Sequence, residues 1–208
     1  MHPYSVDYSR HKPVIIIFLL AVVLSVIVNY VFTLFSDLVF SSTSFPVGVL
    51  ASTLGLNSIT AFLFFTVLYY LFDNRLWNST LLQRFHQIPD LSGDWSGKIN
   101  VEGENGKDDV SVHIEQTWTK LELTLKLDNG QAISDSKTAS ITTNSGETRL
   151  VITYLSRQQG PGMGERDHHE GVNWFNHDPT SSPERLYGRY FTDPSRGSQG
   201  LIKLEKEV

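Results

Sequence analysis

The sequence predicts a two-helix transmembrane hairpin followed by an all-β antiparallel barrel of about eight strands. Three observations carry that expectation. Two long uncharged apolar runs stand near the N-terminus, hydropathy then changes to strict alternation, and turn residues recur between the alternating segments.

The first run, Val14 to Phe35, holds 22 residues of which only Ser25, Asn29 and Thr33 are polar. A bilayer needs about 20 apolar residues from a helix. The second, Leu50 to Phe72, holds 23 residues with no ionised group, and an 11-residue connector, Ser36 to Pro46, lies between the two. Inside hydrocarbon the backbone must satisfy itself, so both runs are expected as helices despite their β-branched content. The runs exceed a signal-peptide core and no A-x-A-like exit follows, so a retained hairpin is expected. Arg10 and Lys12 precede the first run, Arg75 and Arg84 follow the second, and no Lys or Arg lies between. The positive-inside tendency therefore places both termini in the cytoplasm. Ala21, Ser25, Asn29 and Thr33 share one helix face, and Gly48/Ser52, Ala51/Gly55 and Asn57/Ala61 are small pairs at the same spacing. Such faces either seal the hairpin to itself or meet other copies. The expected division is a cytoplasmic tail over 1–13, spans at 14–35 and 50–72, a juxtamembrane linker over 73–89 ending in a Pro break, and a cytoplasmic sensing domain over 90–208.

In the later segment, Val110, Val112, Ile114, Gln116 and Trp118 alternate with polar residues, as do Leu121, Leu123, Leu125 and Leu127 before an Asp128-Asn129-Gly130 turn. Further strands are expected at Asp94–Val101, Lys137–Thr143, Arg149–Leu155, Leu186–Thr192 and Gly200–Glu205. Closure into a barrel removes exposed edges. Gln116 and Trp118 end an otherwise aliphatic inward set. Either Gln116 bonds neighbouring backbone while Trp118 plugs the barrel, or both stand at a mouth where a planar ring stacks on the indole.

Composition excludes several functions. The chain has no cysteine, which removes disulfides, thiolate-held zinc and a thiol nucleophile. Net charge is −5, and residues 90–208 carry 13 basic against 19 acidic side chains, a poor match to duplex DNA. His168, His169, Glu170 and His177 lack the spacing of a metal site, since adjacent strand residues face opposite ways. No catalytic motif stands in the sequence, so neither an enzyme nor a cofactor is expected. Arg189, Arg196 and the hydroxyls of Thr192-Asp193-Pro194-Ser195-Arg196-Gly197-Ser198 could donate to phosphate or form a solvated hairpin tip.

Two spans, then LSGDWSGKI at Leu91–Ile99, IEQTW at Ile114–Trp118, a strand with Tyr154, His169-Glu170-Gly171, and a terminal YGRYFTD…GLIKLEK together resemble the transmembrane effectors of the CBASS family. The resemblance spans nearly the whole chain. It implies a barrel that binds a cyclic dinucleotide made by a partner nucleotidyltransferase of the CD-NTase class during phage infection. Binding would drive homo-oligomerisation and disruption of the bacterial inner membrane, a form of abortive infection. Gln116, Thr117, Trp118, His169, Tyr190 and Thr192 fall in the matching segments and are the expected ligand-binding residues. Arg196 is added on physical grounds as a phosphate partner. Gly93-Asp94-Trp95 is also similar to a lipocalin G-x-W, which keeps open a tethered barrel that binds an apolar molecule or a protein.

Overall fold

In a computed structural model the described residues are 1–40, 54–83, 86, 88–102, 107–128, 132–144, 146–158, 168–194 and 197–207. They divide into two compact units, Ser9–Trp77 and Met1–Tyr8 with Asn78–Val208.

The first unit is helical. Helix α1 runs His11–Phe40 and α2 runs Leu54–Leu71, continuing into a π-helical turn, Phe72–Leu76, that Trp77 N–H closes on Phe72 O at 3.1 Å. His11–Phe35 is long and apolar enough to cross a bilayer. The start of the second expected span, with Ala51 and Ser52, and Gly48 before it lie outside the described residues. α1 and α2 pack on each other, with the Phe18 and Phe65 rings edge to face at 6.1 Å. Ile17, Ala21 and Ser25, one turn apart, are buried. The polar side chains of α1 bond their own helix: Ser25 Oγ donates to Val22 O (2.8 Å), Asn29 Nδ2 to Ser25 O (2.7 Å) and Thr33 Oγ1 to Asn29 O (2.9 Å). Each thereby has a hydrogen-bond partner on its own helix.

The second unit is a sheet of nine strands: β1 His2–Val6, β2 Gly93–Val101, β3 Asp108–Gln116, β4 Lys120–Leu127, β5 Ala132–Asn144, β6 Glu147–Gln158, β7 His168–Asp178, β8 Arg185–Thr192 and β9 Gln199–Lys206. Their pairings close in the order β1-β4-β3-β2-β9-β8-β7-β6-β5, with β4 also paired to β5. Every neighbouring pair is antiparallel except β1 with β5. A short helix, α3 (Thr80–Gln83), precedes the sheet.

Two strands depart from the sequence expectation. Residues 1–13 are not a tail, because β1 lies antiparallel to β4 at His2/Leu121 and Pro3/Lys120 and parallel to β5 from Tyr4/Ala139 to Val6/Ile141. β4 and β5 pair with each other over only three residue pairs, and an irregularity between Ser136 and Thr138 bends β5 away. β1 fills the seam that this divergence leaves. Tyr4 is buried there, and Asp7 Oδ2 accepts Thr143 N–H at 2.6 Å. The second addition is β7, whose inward set is His169, Gly171, Asn173, Phe175 and His177. Only Phe175 among them is a strong apolar signal, so hydrophobic alternation misses it.

One end of the sheet is formed by the starts of β2, β4, β6 and β8 and the ends of β3, β5, β7 and β9. Both crossings of the chain out of this unit, after Tyr8 and before Asn78, lead from this proximal end, where Asn78 Nδ2 donates to Asp90 Oδ2 at 3.1 Å. The apolar core gathers here: Leu91, Trp95, Ile114, Trp118, Leu121, Leu150, Phe175, Leu186 and Leu204 are all buried. Trp95 Nε1 donates to Leu91 O at 3.0 Å, so the indole seals the end with its polar atom satisfied.

Candidate functional site

The inward side chains change character along the barrel. Across three adjacent strands Ser134 pairs with Ser156 and Ser156 with His169. In the next row Ser136, Tyr154, Gly171 and Thr192 follow one another across β5 to β8. Beyond it run Ile152, Asn173, Tyr190 and Gly200, across β6 to β9. These rows lie toward the distal end, opposite the tryptophan-sealed one, and Ser134, Ser136, Tyr154, Ser156, Asn173 and Tyr190 are all buried.

Glycine makes room for this arrangement. A Cβ at Gly171 would stand 2.3 Å from Tyr154 Oη, and one at Gly200 would stand 2.6 Å from a Tyr190 ring carbon. Each tyrosine ring therefore lies over a neighbouring strand that has no side chain of its own at that point. The His169 ring meets Tyr154 edge to face, with centroids 6.2 Å apart. Asn173 is 3% exposed, and its Oδ1 has no hydrogen-bond partner. An acceptor left in that state costs about 1–3 kcal/mol, which a donor from a ligand would recover. The distal interior can thus offer amide, hydroxyl and imidazole groups between aromatic faces.

The structure separates the seven expected site residues. Gln116, Thr117 and Trp118 are at the proximal end, His169, Tyr190 and Thr192 are on the distal rows, and Arg196 lies outside the described residues. Gln116 Oε1 accepts Leu91 N–H at 2.8 Å, and its Nε2 donates to Pro89 O at 3.1 Å and Tyr4 Oη at 3.4 Å. Its amide ties the linker and β1 to the barrel. Thr117 shapes the β3–β4 turn, its Oγ1 accepting from Lys120 N at 3.0 Å. Trp118 is 0% exposed, with the His86 ring edge-on at 4.7 Å. All three are engaged in these contacts, and of the two alternatives for Gln116 and Trp118 the structural one describes this geometry. Thr192 Oγ1 donates toward Ser198 O (2.9 Å) and accepts Ser198 N–H (2.8 Å), holding the β8–β9 turn beside the distal rows. Of the expected set, His169 and Tyr190 face that interior directly.

Tyr154, Ser156, Asn173 and Ser134 complete the rows and were not among the expected site residues. Polar residues at inward parity in β5 to β7 would have been the signal, but β7 had first to be recognised as a strand. Among the described residues no cluster of three or more His, Asp or Glu could hold a metal. A hollow of about 1,170 Å³ lies on the outer surface over β8, β9, β2 and β3. Its charges include ion pairs already formed, Lys98–Asp109 at 3.6 Å and Arg185–Glu205 at 3.0 Å.

Comparison with known proteins bears on this barrel. The chain is 29% identical over 140 residues to "CD-NTase-associated protein 15" of Yersinia aleksiciae, an alignment covering 67% of this chain and 65% of that protein. It is 28% identical over 150 residues to the protein of the same name from Staphylococcus schleiferi, covering 72% of this chain and 76% of the other. The chain thus spans about two thirds of the length of the first of these relatives. Residues 86–206, nearly all of the sheet beyond β1, match the family model described as "Cap15, cyclic dinucleotide receptor domain", and the chain belongs to that family of CBASS effectors.

Proposed function

We propose that this protein is a membrane-anchored CBASS effector whose barrel takes up a cyclic dinucleotide at its distal end. The ligand, made by a partner CD-NTase, drives homo-oligomerisation, and clustered helical hairpins then breach the bacterial inner membrane and kill the infected cell. Both termini and the barrel face the cytoplasm in this reading, and α1 and α2 both span the bilayer. The names of the two relatives and of the matched family support the ligand class.

The observation that carries the site is the unpartnered, buried Asn173 Oδ1 among serine, tyrosine and histidine side chains. A nucleobase carries N–H donors suited to that acceptor and a ring suited to Tyr154 or Tyr190. A lipid tail would leave these polar groups unsatisfied, which disfavours the reading of an apolar-ligand carrier. Arg196, four residues after Thr192, is the proposed phosphate partner, together with the Ser198 hydroxyl.

The test uses the full chain in lipid nanodiscs, titrated with a panel of cyclic dinucleotides and with fatty acids. Selective thermal stabilisation by one nucleotide is expected, since a ligand that binds only the native state raises its stability. Asn173→Val should lose that stabilisation while its unliganded melting temperature stays level or rises, because the orphan acceptor is gone. Equal response to fatty acids, or undiminished nucleotide binding by Asn173→Val, would overturn the assignment.

A further inference from the structure

The alternation that aims Asn173 and Tyr190 inward aims their neighbours Trp174 and Arg189 outward, where they are cross-strand partners. Arg189 in turn pairs with Leu201, and Tyr187 with Lys203, on β9. Trp174, Tyr187 and Leu201 are 45%, 47% and 44% exposed, and apart from Met1 they are the large apolar side chains that the described barrel leaves most open. They adjoin on three neighbouring strands and are not scattered. The Trp174 and Phe191 rings meet at 5.4 Å, which extends the patch. A hollow of about 310 Å³ in its middle is lined by Trp174, Tyr187, Leu201, Arg149, Arg189 and Lys203, among others, with no acidic side chain. Arg189 and Lys203 have no ion pair among the described residues.

Exposed Trp, Tyr and Arg around a hollow on an exposed sheet face are the composition of a protein-binding hot spot. The charges say which partner fits. Pairing this face with itself would set three cations against three cations. The adjoining β2–β3 flank of the same barrel offers Asp94, Glu115 and Asp109, whose side chains are more than half exposed and which, set against Lys98 and His113, leave that flank with an excess of carboxylates. That flank is complementary in sign to the basic apolar face. We infer that the β7–β9 outer face docks head to tail on the acidic β2–β3 flank of a second copy. Such a heterologous contact propagates into a ring or an open chain of copies instead of stopping at a dimer.

This inference rests on the proposed function for its trigger and supplies what that reading lacks, the surface through which copies meet. The ligand side and the docking side are two faces of the same strands: residues 173 and 190 inward, 174 and 189 outward. A ligand that orders β7 and β8 from within orders the docking face at the same time, and so binds the assembled state more tightly than the monomer.

The absence of native cysteine permits a clean cross-linking test on the full chain in membranes. Copies with Leu201→Cys are mixed with copies carrying Glu115→Cys and treated with a short bismaleimide, with and without the nucleotide. The mixed pair should cross-link, at least tenfold more than either variant alone, and ligand should raise the yield. Trp174→Glu and Arg189→Glu should each abolish the mixed cross-link while leaving nucleotide stabilisation of dilute monomer within about threefold of the parent. Glu115→Arg on the partner copy should restore assembly with Arg189→Glu, read by size in detergent. Dominant cross-linking of Leu201→Cys with itself would overturn the head-to-tail arrangement. Loss of nucleotide binding in Trp174→Glu or Arg189→Glu would make this face the ligand site and overturn its role as a copy interface. Lipid photolabelling of Trp174 without any protein cross-link would assign it to the membrane surface. If no nucleotide binds yet the mixed cross-link still forms at high density, the proposed function fails and the interface stands.

Discussion

At the scale of single residues, the acidic flank carries a group whose protonation is readable. His113 Nδ1 lies 2.6 Å from Asp94 Oδ1 and its Nε2 lies 3.7 Å from Glu115. The hydrogen bond to Asp94, ahead of the smaller pull of Glu115, raises the imidazole above its ordinary 6.5. A raised folded-state value means that the stabilisation is fully present below 6.5 and is lost as pH climbs through the higher folded value. Both partners are half exposed, so the effect on stability is small and screened by salt. An NMR titration of the His113 ring should therefore give a midpoint above 6.5, and Asp94→Asn should bring it down. An unchanged midpoint in that variant would deny the pair any hold on the proton. Asp178 moves oppositely: the Thr180 hydroxyl and backbone N–H donate to its carboxylate and lower it, which belongs to the β7–β8 turn and not to a site.

At the scale of elements, the strands that the sequence revealed are those with aliphatic inward sets. β3 and β4 bury Val110, Val112 and Ile114 against Leu121, Leu123 and Leu125, and their alternation is plain. β7 was hidden for a physical reason: its inward positions are polar or glycine where the candidate site is, and its outward ones include Val172 and Trp174 where the candidate interface is. A strand with function on both faces loses the pattern by which strands are read. β1 was hidden differently, since five residues beside a long apolar helix carry too little pattern to show that a distant seam needs filling. The proximal tryptophan could be placed from sequence as an inward residue but not as mouth or plug. The structure makes Trp118 a plug, and a measurement distinguishes the roles. Trp118→Ala should destabilise the full chain by about 3–5 kcal/mol, as truncation of a buried aromatic does, yet leave nucleotide affinity of the still-folded fraction unchanged. Selective loss of affinity at unchanged stability would return Trp118 to a ligand site.

At the scale of the molecule, the two units are joined twice, through Tyr8–Ser9 and through Trp77–Asn78. The sequence division expected a tail over 1–13 and a linker over 73–89, and β1 replaces that picture with a loop of chain that leaves the barrel and returns to it. Only residues 7–10 separate β1 from α1, so a shift of the β4–β5 seam has little slack before it reaches the helix. The same seam faces the candidate site: Ser136 Oγ, on the distal rows, accepts Leu123 N–H at 2.8 Å and meets His2 Nε2 of β1 at 2.8 Å. Tyr4 Oη reaches Thr117 O at 3.3 Å, which fastens the strand's other side. Ligand-dependent movement of β5 would thus be felt at the start of α1 through hydrogen bonds and packing, and through covalent chain thereafter. Replacing His2–Val6 by a Gly/Ser segment of equal length keeps the connection but removes its stiffness. That variant should melt lower, because Tyr4 burial and the β1 pairings are lost, and should still bind nucleotide. Its leakage of dye from vesicles on nucleotide addition should fall at least tenfold, and hydrogen exchange should quicken in β4 and β5. Leakage equal to that of the parent, at matched ligand occupancy, would show that the second linker alone carries the signal.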